Sequence, residues 1–372
     1  MREARSPRVE LNHGNGNMAY LENVWYCAAL TTELSTKPIR RTICELPMAL
    51  FRTETGRVAA VEDRCSHRQA PLSLGKVIGE EIQCNYHGFV FDCAGKCTHI
   101  PHQASVPRSA DVKAFAVVER WGYVWLWWGA AAKADPSLIP DLPWTEDANW
   151  RTVYFYFYVK ANQQLMADNL LDVSHTDFLH RHNIGSTAGA KGQVDTPKID
   201  LESRAEGEKI FYTRTVFGTQ LGGLARKWIA TDKPVNRISR QSWEKPNTVH
   251  FNTSLANDEN QITFRMEHIM TPETSTTSHY FMNWTRDFGL GNVDYPTDED
   301  IRREQLAVVG GEDIPMVEAQ QLNILEFSSE FDVAARQDQF VGLVHRMLQE
   351  LYGKAGLPFP AEVQRTVRRR AS

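Results

Sequence analysis

The chain has 372 residues, 42% hydrophobic and 23% charged, a globular composition with enough length for two domains. Its formal net charge is −5 and its pI near 6.2, which argues against a nucleic-acid partner. The one basic run, Arg368-Arg369-Arg370, reads as a solvated tail. No apolar stretch approaches bilayer length, and the N-terminus lacks the basic, apolar, small-residue order of a secretory signal. A cytoplasmic protein without a membrane partner is expected.

Residues 1–18 are polar and rich in Gly and Asn, and are expected to form a flexible leader. From Tyr20 to about Gly129 short β-rich runs alternate with turns: Asn23–Ala29, Met48–Arg52, Val58–Val61 and Tyr123–Trp128. Val90–Asp92 and Lys96–Thr98 flank Ala94-Gly95, which suits a tight hairpin turn. This predicts an all-β domain over residues 19–130. Ala130–Pro136 reads as a linker, followed by a strand over Thr152–Val159 and a helix from Gln163 to about Leu179. Strands are expected at Lys209–Tyr212, Thr248–Asn252 and Gln261–Met266. Helices are expected at Asp298–Gly310, Met316–Leu325 and Gln337–Tyr352. Residues 131–355 are therefore expected to form an α+β domain, with 356–372 as a tail.

Six cysteines in such a chain do not suggest a disulfide framework. Cys27 and Cys44 sit in apolar surroundings and read as small buried hydrophobes. Cys65-Ser66-His67 and Cys84-Asn85-Tyr86-His87 are different: each loop offers one thiolate and one imidazole. A structural zinc ion also accepts two Cys and two His, but zinc knuckles tend to pair like with like. One Cys and one His per loop suits two irons, one held by both sulfurs and the other by both imidazoles, as in a Rieske [2Fe–2S] cluster. Cys93 and Cys97 lie beyond the second loop and are expected to bind nothing.

A second set follows in Asn169–His180, which contains Asp-x-x-His-x-x-x-x-His. Asp172 and His175, three apart, would share a helix face. His175 and His180 are five apart, so convergence on one metal requires the helix to end or distort between them. Two His and one carboxylate leave an iron face open to dioxygen. Asp313, in Glu312-Asp313-Ile314-Pro315-Met316-Val317-Glu318, is expected as the carboxylate, with Glu312 and Glu318 as alternatives. An acidic first turn beside Pro315 is the structural explanation that competes with this role.

Over roughly residues 19–350 the chain resembles the Rieske non-haem iron aromatic-ring hydroxylating oxygenases of the vanillate O-demethylase and dicamba monooxygenase type. The resemblance rests on Tyr20–Tyr26, on Asp63–Arg68 and Gln83–Phe89, on Trp121–Gly129, on the Asp172–His180 segment, and on the Glu-Asp-x-x-x-x-Glu-x-Gln run at 312–320. Neither Rieske loop has the additional Cys of respiratory Rieske proteins. The resemblance implies a helix-grip catalytic domain with a curved antiparallel sheet, a head-to-tail homotrimer, a mononuclear Fe(II), and O2 as co-substrate. It implies NAD(P)H used indirectly through a separate reductase, with a ferredoxin as a further partner. It makes Cys65, His67, Cys84 and His87 the cluster ligands and His175, His180 and Asp313 the iron ligands. Asp172 would bridge His87 of one subunit and His175 of the next, and Asn169 would lie near the iron. No Gly-x-Gly-x-x-Gly follows a strand, which fits reliance on a reductase.

The implied reaction is hydroxylation of a small aromatic acid at an O-methyl or other methyl group. Ring hydroxylation or dioxygenation of another substrate is the alternative within the family, and an electron-transfer protein the alternative outside it. The intact His175, His180 and Asp313 speak against the latter. For substrate contact the candidates are His250, Asn252 and Trp284, with Arg237, Arg240, His268, Phe155 and Phe157 behind them.

Overall fold

The computed structural model describes residues 20–180, 182–183, 198–221, 223–291, 296–327, 333 and 335–357. The leader expected over 1–18, and the tail beyond residue 357, lie outside these.

The N-terminal domain is built of eleven short strands: β1 (Val24–Leu30), β2 (Ile39–Ile43), β3 (Leu46–Arg52), β4 (Val58–Glu62), β5 (Lys76–Ile78), β6 (Glu81–Gln83), β7 (Val90–Asp92), β8 (Cys97–His99), β9 (Ala114–Phe115), β10 (Val117–Arg120) and β11 (Tyr123–Trp128). They form three antiparallel sheets, ordered β1-β11-β10, β2-β3-β4-β9 and β5-β6-β7-β8. The third sheet forms a lobe whose core of Phe91, Ile82, Leu72, Cys65 and Cys84 is continuous with Ala49, Phe51, Ala59 and Val61 of β3 and β4.

Trp121 and Gly122 join β10 to β11 with φ of 61° and 80°, the geometry of a two-residue hairpin turn whose twist matches its strands. A side chain at Gly122 would collide with the Tyr154 ring of the second domain, and the Tyr154 hydroxyl donates to the Trp121 carbonyl at 3.1 Å. The turn is thus also a domain contact. Around it Trp25, Trp125 and Trp127 pack with Ile269 and Phe281, so the domains share a hydrophobic interface.

The second domain centres on one seven-stranded antiparallel sheet. Its strands are β12 (Arg151–Val159), β13 (Ile199–Glu206), β14 (Lys209–Thr219), β15 (Val235–Glu244), β16 (Thr248–Ala256), β17 (Gln261–Pro272) and β18 (Ser278–Arg286). The order β12-β18-β17-β16-β15-β14-β13 is a meander closed by β12. Helices α1 (Gln163–Leu171) and α5 (Gln339–Lys354) pack on one face, α1 against β16, β17 and β18 and α5 against β14. A short α2 (Gly223–Ile229) lies by β17. The expected α+β architecture is present.

Two helical regions depart from expectation. The helix expected to run to about Leu179 stops at Leu171. Asp172 adopts φ −105°, ψ 91°, and its carboxylate accepts the Ser174 N–H at 2.9 Å, capping a new 3-10 turn over Val173–Asp177. Asp172 and His175 therefore do not share an α-helical face. At the other end, the two helices expected at Asp298–Gly310 and Met316–Leu325 are continuous. Helix α3 (Asp298–Gln305) passes through a π-helical stretch, Leu306–Asp313, into α4 (Ile314–Phe327). Pro315 has no N–H to give to the previous turn, and Gly310-Gly311 leaves room for the backbone to widen there. The residues thought to start a helix thus lie inside one.

Candidate functional site: two metal centres

The Rieske-type loops repeat one backbone design. Cys65 N–H bonds the Ala70 carbonyl and Gln69 N–H returns to Cys65; Cys84 N–H bonds Phe89 and Gly88 N–H returns to Cys84. Gln69 and Gly88 occupy equivalent positions, with φ of 59° and 75°. Each loop thereby presents its Cys inward and its His outward. The thiols are buried at 1% and 2% exposure and face one another, whereas both imidazoles are exposed. The rings of His67 and His87 lie 4.5 Å apart, and Phe89 stacks on His67 at 4.8 Å. Burial pushes the Cys65 thiol up to about 11. Two inward thiols below two outward imidazoles fit a cluster whose His-bound iron faces solvent. Cys97 is buried in the lobe's core and the Cys93 thiol donates to the Glu80 carbonyl at 3.3 Å.

The second centre joins the 3-10 turn after α1 to the end of the π-helix. Among the described residues, His175, His180 and Asp313 form one group whose ligand atoms lie within 4.8 Å of each other. His180 Nε2 is 3.0 Å and His175 Nε2 3.4 Å from Asp313 Oδ1. The other nitrogen of each ring is fixed: His175 Nδ1 meets the Asp172 carbonyl at 2.6 Å, and His180 Nδ1 the Glu312 carboxylate at 2.6 Å. With each Nδ1 set against an oxygen acceptor, both Nε2 atoms face Asp313 and the space beside it, where they donate to its carboxylate and would turn a lone pair to a metal on losing that proton. His180 and Asp313 are buried, and His175 keeps about a quarter of its side chain exposed. Burial opposes ionisation of Asp313, but hydrogen bonds from His175 and His180 outweigh it and hold the carboxyl at about 2. A carboxylate held in its ionised form with two oriented imidazoles is a donor set that fits an iron(II) ion with an open face.

Asn169 donates to Asp313 Oδ1 at 3.3 Å, and its own Oδ1 is buried without a hydrogen-bond partner among the described residues. Glu312, considered as a ligand, acts instead on the far side of His180 and also accepts from Asn183 at 2.9 Å. Glu318 accepts the Lys160 N–H at 2.9 Å, tying α4 to the approach to α1, away from the triad.

A cavity with an internal volume of about 70 Å³ adjoins the triad. Its apolar wall includes Leu170, Val173, Phe251, Met266, Val308 and Val309, and its polar groups include Arg214, Arg237, Thr253 and His268. Arg237 and His268, both considered from sequence, thus line the cavity beside the triad. The His268 ring, kept neutral by burial that lowers it to about 3, meets the Tyr280 hydroxyl at 2.5 Å through Nδ1, while Nε2 is buried without a partner among the described residues.

His250, Asn252 and Trp284 are not brought there. His250 and Asn252 point from the opposite face of β16 into another cavity, together with Arg240. Trp284 is fully buried between Trp228, Phe264 and Phe288 and serves the core. Phe155 and Phe157 stack on each other, and Phe157 abuts Gly310 of the π-helix without lining the cavity. Arg214 was missed. The signal was its place in the inward series Ile210, Tyr212, Arg214, Val216, where a cation interrupts an apolar strand face.

Comparison with known proteins agrees with both centres. Residues 159–353 match the vanillate O-demethylase oxygenase C-terminal domain, and residues 24–115 match the Rieske [2Fe–2S] domain. The oxygenase component of dicamba O-demethylase from Stenotrophomonas maltophilia is 37% identical over 307 residues, covering 81% of this chain and 88% of that protein. The vanillate O-demethylase oxygenase subunit of Pseudomonas sp. (strain HR199 / DSM 7063) is 32% identical over 320 residues, covering 82% and 87%. The crystal structure of dicamba monooxygenase bound to 3,6-dichlorosalicylic acid matches with a TM-score of 0.85 at 33% identity, over 92% of this chain and 100% of that one. The chain therefore belongs to the Rieske non-haem iron monooxygenases, as an oxygenase component of the vanillate O-demethylase type.

Proposed function

We propose that this oxygenase component hydroxylates a small aromatic acid at an O-methyl or related methyl carbon, with His175, His180 and Asp313 holding the iron. Cys65, His67, Cys84 and His87 would hold the cluster. The single observation that carries the reading is the convergence of two Nε2 atoms and one buried carboxylate beside a cavity lined by apolar side chains and two arginines. With iron and cluster in place, the centres supply dioxygen activation by electrons received one at a time.

The chain's residues do the rest. Leu170, Val173, Met266 and Val309 would exclude water from the reacting carbon. Arg214 and Arg237 would meet the substrate's carboxylate, and His268 Nε2 a second polar group. Because the cavity as it stands is well below the ~300 Å³ typical of ligand sites, these walls must part for an aromatic ring to enter. One oxygen atom of O2 enters the methyl C–H bond and the other leaves as water, consuming two electrons and two protons. A hydroxylated O-methyl group is a hemiacetal and collapses to a phenol and formaldehyde. Electrons would come from NAD(P)H through a separate reductase and a ferredoxin, in the cytoplasm.

A head-to-tail homotrimer accompanies this reading. Tyr86 (65%) and Leu74 (70%) are exposed apolar groups beside the outward imidazoles, and Phe178 (67%) is exposed beside the iron turn. Apolar surface at both centres favours docking one subunit's cluster against the next subunit's iron site. Asp172, next to His175, would then bridge to His87 of the partner. Incubation of holoenzyme, reductase and NADH with a methoxybenzoate, with formaldehyde and phenol quantified, tests the reaction. Equal yields of both support demethylation, and a ring-hydroxylated product with the methoxy group intact contradicts it.

A further inference from the structure

The larger hollow of the catalytic domain is not the one at the triad. It lies on the opposite face of the sheet, has an internal volume of about 300 Å³, and shares with the iron cavity only Phe251. That volume is at the lower limit of ordinary small-molecule sites, ~300–1,000 Å³.

Strand register builds its floor. Asn252 of β16 pairs directly with Arg240 of β15 and with Arg265 of β17, so two guanidiniums flank one carboxamide across three strands. In the next row, His250 pairs across the strands with Ser242 and Glu267. His250 is largely covered, yet Glu267 and Glu244 hold it protonated up to about 10, and its two ring nitrogens contact one carboxylate each. Lys209 also pairs with Glu244. The pocket's buried carboxylates are therefore committed to His250 and Lys209, and Asp141 at the rim to Arg120 at 3.6 Å. Neither Arg240 nor Arg265 forms a hydrogen bond or ion pair among the described residues, although Glu267 and Asp287 partly offset the Arg265 charge from a distance.

Three buried polar atoms on these walls lack a hydrogen-bond partner among the described residues: Trp144 Nε1, Asn252 Oδ1 and Arg265 Nε. The pocket also offers flat apolar surface. Trp144 lies over the Arg265 guanidinium at 4.3 Å, and Phe211 forms part of the lining. We propose that this pocket is a second small-molecule site, separate from the iron cavity, that takes an aromatic carboxylate. The carboxylate sits between Arg240 and Arg265, the ring lies against Trp144 and Phe211, and Asn252 meets a polar ring substituent. An inorganic anion would leave the aromatic walls unused, and a neutral ring would leave the partly buried Arg265 guanidinium without an anion. The site is independent of the reaction assigned to the iron centre.

The test is ¹⁹F NMR of the holoenzyme titrated with 4-fluoro-3-hydroxybenzoate, whose ring hydroxyl can donate to Asn252 Oδ1. Two bound resonances are expected, one broadened by the paramagnetic iron and one narrower. Arg240 is exposed at the rim, so Arg240→Ala leaves the fold intact; it should weaken the narrower component about tenfold or more. Asn252→Leu should weaken the same component, and in both variants the broadened resonance, iron content and cluster EPR should persist. A single iron-broadened resonance, or a narrow one unchanged in both variants, overturns the proposal. Loss of only the broadened resonance would count against aromatic acids at the iron and leave this site standing.

Discussion

The His180 imidazole is held on both sides by neighbouring residues of one helix: Glu312 lies 2.6 Å from Nδ1, and Asp313 lies 3.0 Å from Nε2. Consecutive α-helical residues do not usually reach around one ring, because they project about 100° apart. The π-helical widening over Leu306–Asp313 delivers both carboxylates to the same histidine. One orients the ring and the other shares its metal.

Glu312→Gln should accordingly weaken iron binding without removing a ligand. Loss of an outer carboxylate behind a metal-bound histidine usually costs about 10–100-fold in affinity. Iron per chain after dialysis against a weak chelator reads the effect, and the cluster's EPR signal serves as the internal standard. Unchanged iron retention would mean that Glu312 does not position His180.

Asp172→Asn separates charge from structure. Asn can still cap the Ser174 N–H that the Asp172 carboxylate now accepts at 2.9 Å, and the Asp172 backbone carbonyl still holds His175 Nδ1. The variant should retain both metals and lose turnover. Full activity at full iron content would remove Asp172 from any bridging role. Asp172→Ala should lose, in addition, about 1 kcal/mol of capping stability, measurable by denaturant unfolding.

Arg214→Gln tests how the substrate acid is held. Replacing a charge-assisted hydrogen bond by a neutral one, at roughly 1.5–3 kcal/mol, should raise KM for a methoxybenzoate about 10–100-fold while kcat changes less. An equal fall in kcat with constant KM would place Arg214 outside substrate binding.

The buried Glu244–His250–Glu267 group predicts an alkaline loss of stability. The folded-state pKa of His250 is raised from 6.5 to about 10 by carboxylates that outweigh burial, with Lys209 and Arg265 the nearby cations. Protons are retained by the folded form, so the stabilisation is complete below pH 6.5 and fades as pH rises towards 10. Thermal unfolding should show the melting temperature falling across that window, and His250→Gln should flatten the slope. An identical slope in the variant would assign the dependence to other groups.

These features were unequally legible in the sequence. The two Rieske-type loops are local, and Cys65, His67, Cys84 and His87 carry their geometry within a few residues of chain. Asp172, His175 and His180 were visible as a set, but the helix end at Leu171 was not. The 3.6-residue period continues past it, and only capping of Ser174 by Asp172 ends the helix. Pro315 read as a helix start because a proline usually begins one; the nearby Gly310-Gly311 pair lets the backbone continue instead. His250 and Asn252 failed as substrate contacts at the iron for a reason of parity. Antiparallel pairing of Val249 with His268, and of His250 with Glu267, turns His268 to the iron and His250 away. A one-residue difference in register reverses that outcome, and composition does not encode it.

Iron and acid-labile sulfide per chain measure whether one chain carries two distinct iron centres. About three irons and two sulfides are expected, with the low average g value of a His-ligated cluster in the reduced protein's EPR spectrum. His180→Ala should lower iron by about one per chain and leave sulfide and that spectrum unchanged. Zinc in place of iron without sulfide, or iron content unaffected by loss of His180, would contradict it.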